Sequence, residues 1–330
     1  MKNRKKVTLI DVARVAGVSP STVSRVLNGF PYINEETRKK VMKAVEALNY
    51  VPDYFARSLR KGMHSVLGFI VPEQPERISG DIYMAEMIAV IDEVAGKKGM
   101  GVTVWVSPVL EGEKILEWIL SRGLSGVIIN AFPESVKKNL EKHLKRLADF
   151  NIPVVLLGVE WSGRWAKVDC ESGIKKAVEY LKNLGHNKIA FWKGDERYLA
   201  SREKMRGYNS SLHFSHRFII PTYISEEELS GFIDEILENG FTAVITSTDE
   251  QAYRLLKILN KKGLSVPEDI SVVGFDDLPF SEYTCPSLTT VRVPLKELIE
   301  GSVDLLESGN NDSCVVVPEL VVRESCAPLR

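Results

Sequence analysis

Ser21, Arg25 and Asn28 are spaced four and three residues apart, so on a helix they share one side, and a hydroxyl, a guanidinium and a carboxamide are groups that hydrogen-bond the edges of nucleic-acid bases. Val23, Val26 and Leu27 fall on the opposite side of the same stretch, PSTVSRVLN. A polar side backed by an apolar one can present its groups only if something holds the helix from behind.

The flanking residues supply that support. Thr8 precedes Leu9, Val12, Ala13 and Ala16, apolar positions on one helix face, and Asp11 three residues after Thr8 completes a capping box. Gly17 provides the permissive backbone of a sharp turn, and Ser19 followed by Pro20 reads as an N-cap with proline in the first turn. Asn28, Gly29 and Pro31 mark the next turn, after which Asn34 caps a third helix whose Val41, Val45 and Leu48 close a small core. This is a helix-turn-helix by pattern, and an ordinary three-helix bundle with solvated serines and arginines has the same pattern.

Charge adds a second observation. The net charge of -1 conceals an uneven distribution: up to Lys61 there are thirteen lysines and arginines against five acidic residues, a balance of +8 that leaves -9 for the rest. A basic head on an acidic body points to a polyanion partner for the head alone. The segment VPDYFARSLRKG, 51–62, follows as a short basic helix in which Ala56 and Leu59 share a face and Arg60 and Lys61 precede the glycine. A helix of roughly eight residues does not hold alone in water, so it is expected to order only against a partner.

From Ser65 the pattern changes to short apolar strands, SVLGFIV, GVTVWV, LSGVIIN, IPVVLLG, KIAFW, TAVITS and ISVVGF, alternating with amphipathic helical runs, including one around 135–150. Continuous apolar strands with crossover helices imply parallel sheets covered on both faces, and the number of strands fits two sheets. No GxGxxG or GxxxxGK loop follows any of these strands, and the five histidines do not cluster with a nucleophile or with carboxylates at metal spacing, so neither an enzyme nor a cofactor is expected. His186 is expected to pack at the start of a strand. Cys170, Cys285, Cys314 and Cys326 are scattered without metal spacing and read as reduced thiols. With 330 residues, 44% apolar and 26% charged, the chain reads as a soluble globular protein of two or three packed units. No apolar run approaches the roughly 20 residues of a membrane span, and the basic start lacks a signal peptide's apolar core, so a cytoplasmic location is expected.

The stretch VTLIDVARVAGVSPSTVSRVLN, continued by TRKKVMKAVEALNYVPDYFARSLRKG, closely resembles the DNA-binding head of the lactose and purine repressor family, with its shared pattern T-x-x-D-V-A-x-x-A-G-V-S-x-x-T-V-S-R-V-L-N. The resemblance implies that Pro20, Ser21 and Arg25 face the major groove of a double-stranded operator, with Thr22 and Asn28 near phosphates. Pro20 departs from the hydrogen-bonding residue many members carry and offers apolar contact only, which leaves Arg25 as the candidate for a bidentate guanine contact. It also implies that 51–62 is a hinge helix that pairs with its dimer mate in the minor groove, with Leu59 as the wedge between base pairs and Arg60 beside it.

The resemblance extends through GVIIN, IPVVLL, YLKNLGHNKIAF, KMRGY, SVPEDISVVGFDDLPF, PSLTTV and PELVVRES. It implies a small all-α helix-turn-helix head, 1–50, joined by 51–62 to an α/β body, 63–330, of the type I periplasmic-binding-protein kind. That body has two doubly wound lobes, about 65–163 with 290–312 and about 164–289 with 313–330. Asp249, directly after TAVITST, matches the family aspartate that hydrogen-bonds effector hydroxyls; as a residue at a helix start it also suits a capping role. Lys204 stands where the family places an arginine before Gly207, and Arg202 is expected to supply the fork that a lysine lacks. Gly158 replaces an aspartate found in several members, with Glu160 nearby to compensate. Trp161, Trp165 and Trp192 follow strand ends, and stacked indoles suit a carbohydrate effector, with a purine or other metabolite as the alternative, while packing between elements is their ordinary use. The function implied is that of a homodimeric transcription regulator, most simply a repressor, on a pseudo-palindromic operator. The competing reading is a carbohydrate solute-binding protein, which has no use for a basic head.

Overall fold

The first apolar positions at helical spacing meet as their pattern predicts. In the computed structural model α1 is Leu9–Ala16, α2 is Pro20–Leu27 and α3 is Glu35–Ala47. Val12 and Ala13, Val23 and Val26, and Val41 and Ala44, a pair from each helix, form one buried core. Gly17 turns the chain between α1 and α2 with a φ of 67°, a left-handed conformation in which a Cβ would be strained. Asn34 caps α3, its carboxamide oxygen accepting from the Thr37 N–H at 2.8 Å.

The structure describes residues 9–27, 33–48, 66–73, 75–78, 80–107, 112–122, 124–133, 140–141, 144, 147, 152–308 and 311–329. Thr8 of the expected capping box, Asn28, the whole of 51–62 with Leu59 and Arg60, and most of the expected helix at 135–150 lie outside them. The chain divides into two compact units, Met1–Ser65 and Val66–Arg330.

The second unit runs β1 Val66–Val71, α4 Ile82–Lys97, β2 Gly101–Val106, α5 Gly112–Arg122, β3 Gly126–Ile129, β4 Val154–Leu157 and β5 Arg164–Val168. It continues with α6 Cys170–Asn183, β6 Ile189–Trp192, α7 Leu199–Ser211, β7 Arg217–Ile220, α8 Glu226–Glu238, β8 Ala243–Thr246, α9 Asp249–Lys261 and β9 Ser271–Asp276. It ends with β10 Thr289–Arg292, α10 Leu295–Glu307, β11 Ser313–Val316 and β12 Glu319–Val321. Two six-stranded sheets result, in the orders β11-β5-β4-β3-β1-β2 and β12-β10-β9-β8-β6-β7. Their pairings are parallel except β10 with β12. Strands buried on both faces, such as β3, β4, β6 and β8, are the continuous apolar runs that the sequence shows.

The lobe boundaries differ from those the resemblance implies. β5 hydrogen-bonds to β4, and β11 to β5, so 164–168 and 313–316 belong to the first sheet. β10 pairs with β9, which keeps 290–292 in the second. The chain therefore crosses at 168–170, 292–295 and 316–319, a few residues after the expected points. One buried cluster runs through both lobes at these crossings, from Leu67 and Phe69 to Phe191 and Phe275.

Candidate functional site

Two places in the chain gather groups capable of recognition. The first is α2. Ser19 caps it: its Oγ accepts from the Thr22 N–H at 3.1 Å and shares hydrogen bonds of 2.8 Å with Ser21 Oγ and Thr22 Oγ1. Proline at the first helical position sacrifices no helical hydrogen bond, so the helix starts cleanly at Pro20. Pro20, Ser21 and Arg25 are exposed and Thr22 is half-buried, while Val23 and Val26 are buried against α1 and α3. The face thus offers an apolar ring, a hydroxyl and a guanidinium in line, and Arg25 has no ion-pair partner among the described residues.

The second place is a cavity of about 300 Å³ between the two lobes of the body. It lies beyond the carboxyl ends of the strands, where doubly wound sheets bind ligands. The first lobe contributes Asp81 and Tyr83 at the start of α4, Asn130 after β3, Gly158 after β4 and Lys167 on β5. The second contributes Glu203 and Lys204 on α7, Thr248 and Glu250 around the start of α9, and Phe275 and Asp276 at the end of β9.

Asp276 is the most perturbed of these groups. Removal from water pushes its carboxyl up to about 8, with the charges of Asp249, Glu250 and Asp81 adding and Lys204 opposing. Its φ of 118° and that of 60° at Asp277 are left-handed conformations rare outside glycine, and such strain persists where surroundings enforce it. The enforcement is visible at Asp277, whose carboxylate accepts from Arg292 Nε at 2.6 Å and Arg323 Nη2 at 2.7 Å. Burial also raises Tyr83 and Glu250 above their usual ranges.

Lys204 is buried, donates from Nζ to the Ser247 carbonyl at 2.6 Å and lies 3.6 Å from the centre of the Phe275 ring. Lys167 bridges Glu160 of its own lobe and Glu203 of the other, at 2.5 Å to each. Because Glu203 is almost completely buried, this ion pair ties α7 to β5 across the cleft.

Of the six residues expected to contact an effector, only Lys204 lines the cavity. Asp249 is fully buried behind it and its carboxylate is already engaged, accepting from the Leu278 N–H at 2.8 Å, Ser281 Oγ at 2.7 Å and Thr290 Oγ1 at 2.5 Å. Gly274 leaves the space: a Cβ there would collide with the Asp249 carboxylate. Asp249 fastens α9 to the loop after β9, while the residues on either side of it, the helix cap Thr248 and Glu250, reach the cavity. Arg202 points away, donating to the carbonyls of Glu196 at 2.9 Å and Arg197 at 3.3 Å.

The tryptophans also lie elsewhere. Trp192 is fully buried on the outer face of β6, because strand residues alternate sides and Ala190 and Trp192 share the outer cluster while Ile189 and Phe191 face the other way. Trp161 and Trp165 pack against the outer cluster of the first sheet, with Trp161 Nε1 donating to the Arg164 carbonyl at 2.6 Å. Gly158 lines the cavity with a φ of 64°, and Glu160 is drawn to Lys167 rather than into the space that Gly158 leaves. His186 is buried, with Nδ1 2.9 Å from Thr242 Oγ1 and Nε2 3.0 Å from the Ala327 carbonyl, a packing role. Cys170 lines the cavity, but burial pushes its thiol up to about 12, which makes it inert.

The cavity residues that the sequence reading missed share a detectable signal. Asn130, Thr248 and Asp276 each lie at or just after the end of an apolar strand, the same position that singled out Asp249. What the strand ends do not reveal is which of two adjacent polar residues turns inward.

Residues 8–53 match the bacterial regulatory proteins, lacI family, and residues 178–326 match the periplasmic binding protein-like domain. The chain is 31% identical over 322 residues to catabolite control protein A of Priestia megaterium, covering 94% of each protein. It is 31% identical over 302 residues to the probable HTH-type transcriptional repressor ExuR of Bacillus subtilis (strain 168), covering 88% of each. Among solved structures it is similar to the lac repressor dimer bound to operator and the anti-inducer ONPF, with a TM-score of 0.79 and 27% identity over 98% of this chain and 100% of that one.

Proposed function

The chain belongs to the lacI family of bacterial regulatory proteins, and from that premise we propose how its parts divide the work of a transcriptional repressor. Relatives named as transcriptional repressors include PurR of Vibrio vulnificus (strain CMCP6). The head, 1–50, reads one half-site of a pseudo-palindromic operator, the segment 51–62 is the hinge, and the body, 63–330, holds the effector and the second copy. The observation that carries the DNA-reading assignment is the exposed face Pro20, Ser21 and Arg25, braced by a buried three-helix core in the basic end of the chain. Arg25 takes the base contact, Pro20 and Ser21 flank it, Thr22 and Asn28 sit near phosphates, and Leu59 and Arg60 enter the minor groove.

The effector site is the cavity between the lobes, and the groups assigned to it are Lys204, Asp276, Glu250, Thr248, Asn130 and Tyr83. Asp249 supports them from behind. A small polyhydroxylated molecule suits a cavity of about 300 Å³ that mixes apolar walls with hydroxyl, amide and carboxylate groups. Such a molecule changes operator affinity only if it binds one arrangement of the lobes better than the other, and the Lys167 to Glu203 bridge joins the two lobes in the arrangement seen here.

Exposed apolar groups on the body support self-association. Val104 faces outward on β2, an edge strand, and Tyr253 on α9 lies exposed beside Phe280 with ring centres 6.0 Å apart. No helix among the described residues is long and apolar enough to cross a membrane, and a repressor of this design acts in the cytoplasm, where its operator is. The test is a titration of labelled operator duplex at several salt concentrations: the expected result is tight binding that weakens steeply with salt, because lysines and arginines displace counterions. Salt-independent binding, or none, would contradict it.

A further inference from the structure

The cavity between the lobes is unbalanced in charge, and this bears on what it accepts. Four carboxylates line it, Asp81, Glu203, Glu250 and Asp276, against two ammonium groups, Lys167 and Lys204. Neither ammonium is idle. Lys167 is held between Glu160 and Glu203, and Lys204 spends one proton on the Ser247 carbonyl and rests against the face of Phe275.

The remaining three carboxylates come from three separate elements. Asp81 caps α4, accepting from the Met84 N–H at 2.9 Å, Glu250 lies in the first turn of α9, and Asp276 ends β9. Glu250 and Asp276 make no side-chain hydrogen bond among the described residues. The three are close enough to disfavour one another's charge: Asp81 acts on Glu250, and both act on Asp276. Burial, with the neighbouring charges of Asp249, Glu250 and Asp81 adding and Lys204 opposing, raises the Asp276 carboxyl to about 8, so it carries a proton at neutral pH. That proton occupies the place that a positive charge on a ligand would take.

Resting on the reading of this cavity as the effector site, we infer that the effector is an amine-bearing sugar whose ammonium is received by Asp81, Glu250 and Asp276. Its hydroxyls meet Asn130, Thr248 and Lys204, and its ring lies against Tyr83 and Leu278. Sugar acids and phosphorylated sugars fit poorly, since their anionic groups would be drawn out of water toward Asp81 and Glu250 with one uncommitted face of Lys204 to receive them.

The test uses the full chain and matched probes: glucosamine, glucose and glucuronate, with the corresponding galactose set, by calorimetric titration. An ammonium received by carboxylates is a charge-assisted contact, so an amino sugar of the panel is expected to bind at least about tenfold more tightly than its neutral parent, and the acid most weakly. Asp81→Asn, which keeps the helix cap, and Glu250→Gln are expected to narrow the preference for the amine without abolishing binding of the neutral parent. A neutral sugar that binds as tightly as its amine, an acid that binds more tightly, or a preference unchanged in both variants would overturn the inference while leaving the cavity as the effector site. A panel in which nothing binds would overturn both.

Discussion

The head and the cleft solve recognition in opposite ways. In the head, the groups assigned to reading bases, Pro20, Ser21 and Arg25, lie within six residues of one another on α2, and their support comes from apolar positions three and four residues apart. In the cleft, the recognising groups come from the ends of β3 and β9, the starts of α4 and α9 and the middle of α7, more than 190 positions apart in sequence from Asp81 to Asp276. A helix face is a local property that spacing alone determines, whereas a cleft is a property of topology. Substitutions in one region should therefore leave the other's own selectivity intact, base preference in the head and ligand preference in the cleft.

At a single pH, a large loss of stability is expected at Lys167. Among the described residues, Lys167→Met leaves buried Glu203 with only Arg206, 3.5 Å away, as a partial partner. Removing one member of a buried pair is expected to destabilise the body by about 3 kcal/mol in urea unfolding. Base preference at the operator should not change; if it does, head and body are not separable in this way.

Arg25→Ala sharpens the other side. It is expected to weaken operator binding by about 1–3 kcal/mol, with discrimination lost at one base pair, in a binding assay across singly substituted operators. Effector affinity should be unchanged. Equal loss at every position would make Arg25 a phosphate contact instead.

Asp249→Asn separates support from contact. Its carboxylate receives three donors, so the substitution is expected to lower body stability by about 1–2 kcal/mol. Effector affinity should fall far less than in Asp276→Asn, as read by calorimetry. The reverse order would return Asp249 to the cavity wall.

A further expectation is a slope rather than a loss at one pH. The Asp276 carboxyl titrates near 3.8 when exposed and about 8 in the fold, so between these values the folded protein binds the extra proton. The stability associated with that proton is full below about pH 4 and is lost as pH rises toward 8. Asp276→Asn is expected to flatten this part of the pH-stability curve, and an unchanged curve would place the charge crowding elsewhere.

The same contrast explains what the sequence disclosed. The three head helices, the Ser19 and Asn34 caps and the Gly17 turn were legible because each depends on residues within one or two turns. The two parallel sheets were legible from apolar strands alternating with helices. The place of Asp249 is not legible, because a polar residue after a strand reaches either the cavity or the packing behind it, and the absence of a side chain at Gly274, twenty-five positions on, makes room for it in the packing. The tryptophans misled for a similar reason: the register of β6 turns Trp192 outward, and no local signal reports which face of a sheet borders the other lobe. Lys167 and Glu203 were invisible as a pair, since 36 residues and a lobe crossing separate them.

The central claim is that a cavity in the body governs an operator contact made by the head. It is tested most directly by titrating labelled operator with the full chain, with and without the panel sugar that binds most tightly, for the wild type and for Asp276→Ala. The wild type is expected to change its operator affinity at least about tenfold on adding the sugar, within the usual range of allosteric coupling. Asp276→Ala is expected to keep the ligand-free affinity and lose the change. A wild type whose operator affinity ignores a sugar that it demonstrably binds, or an Asp276→Ala protein that responds in full, would contradict the account.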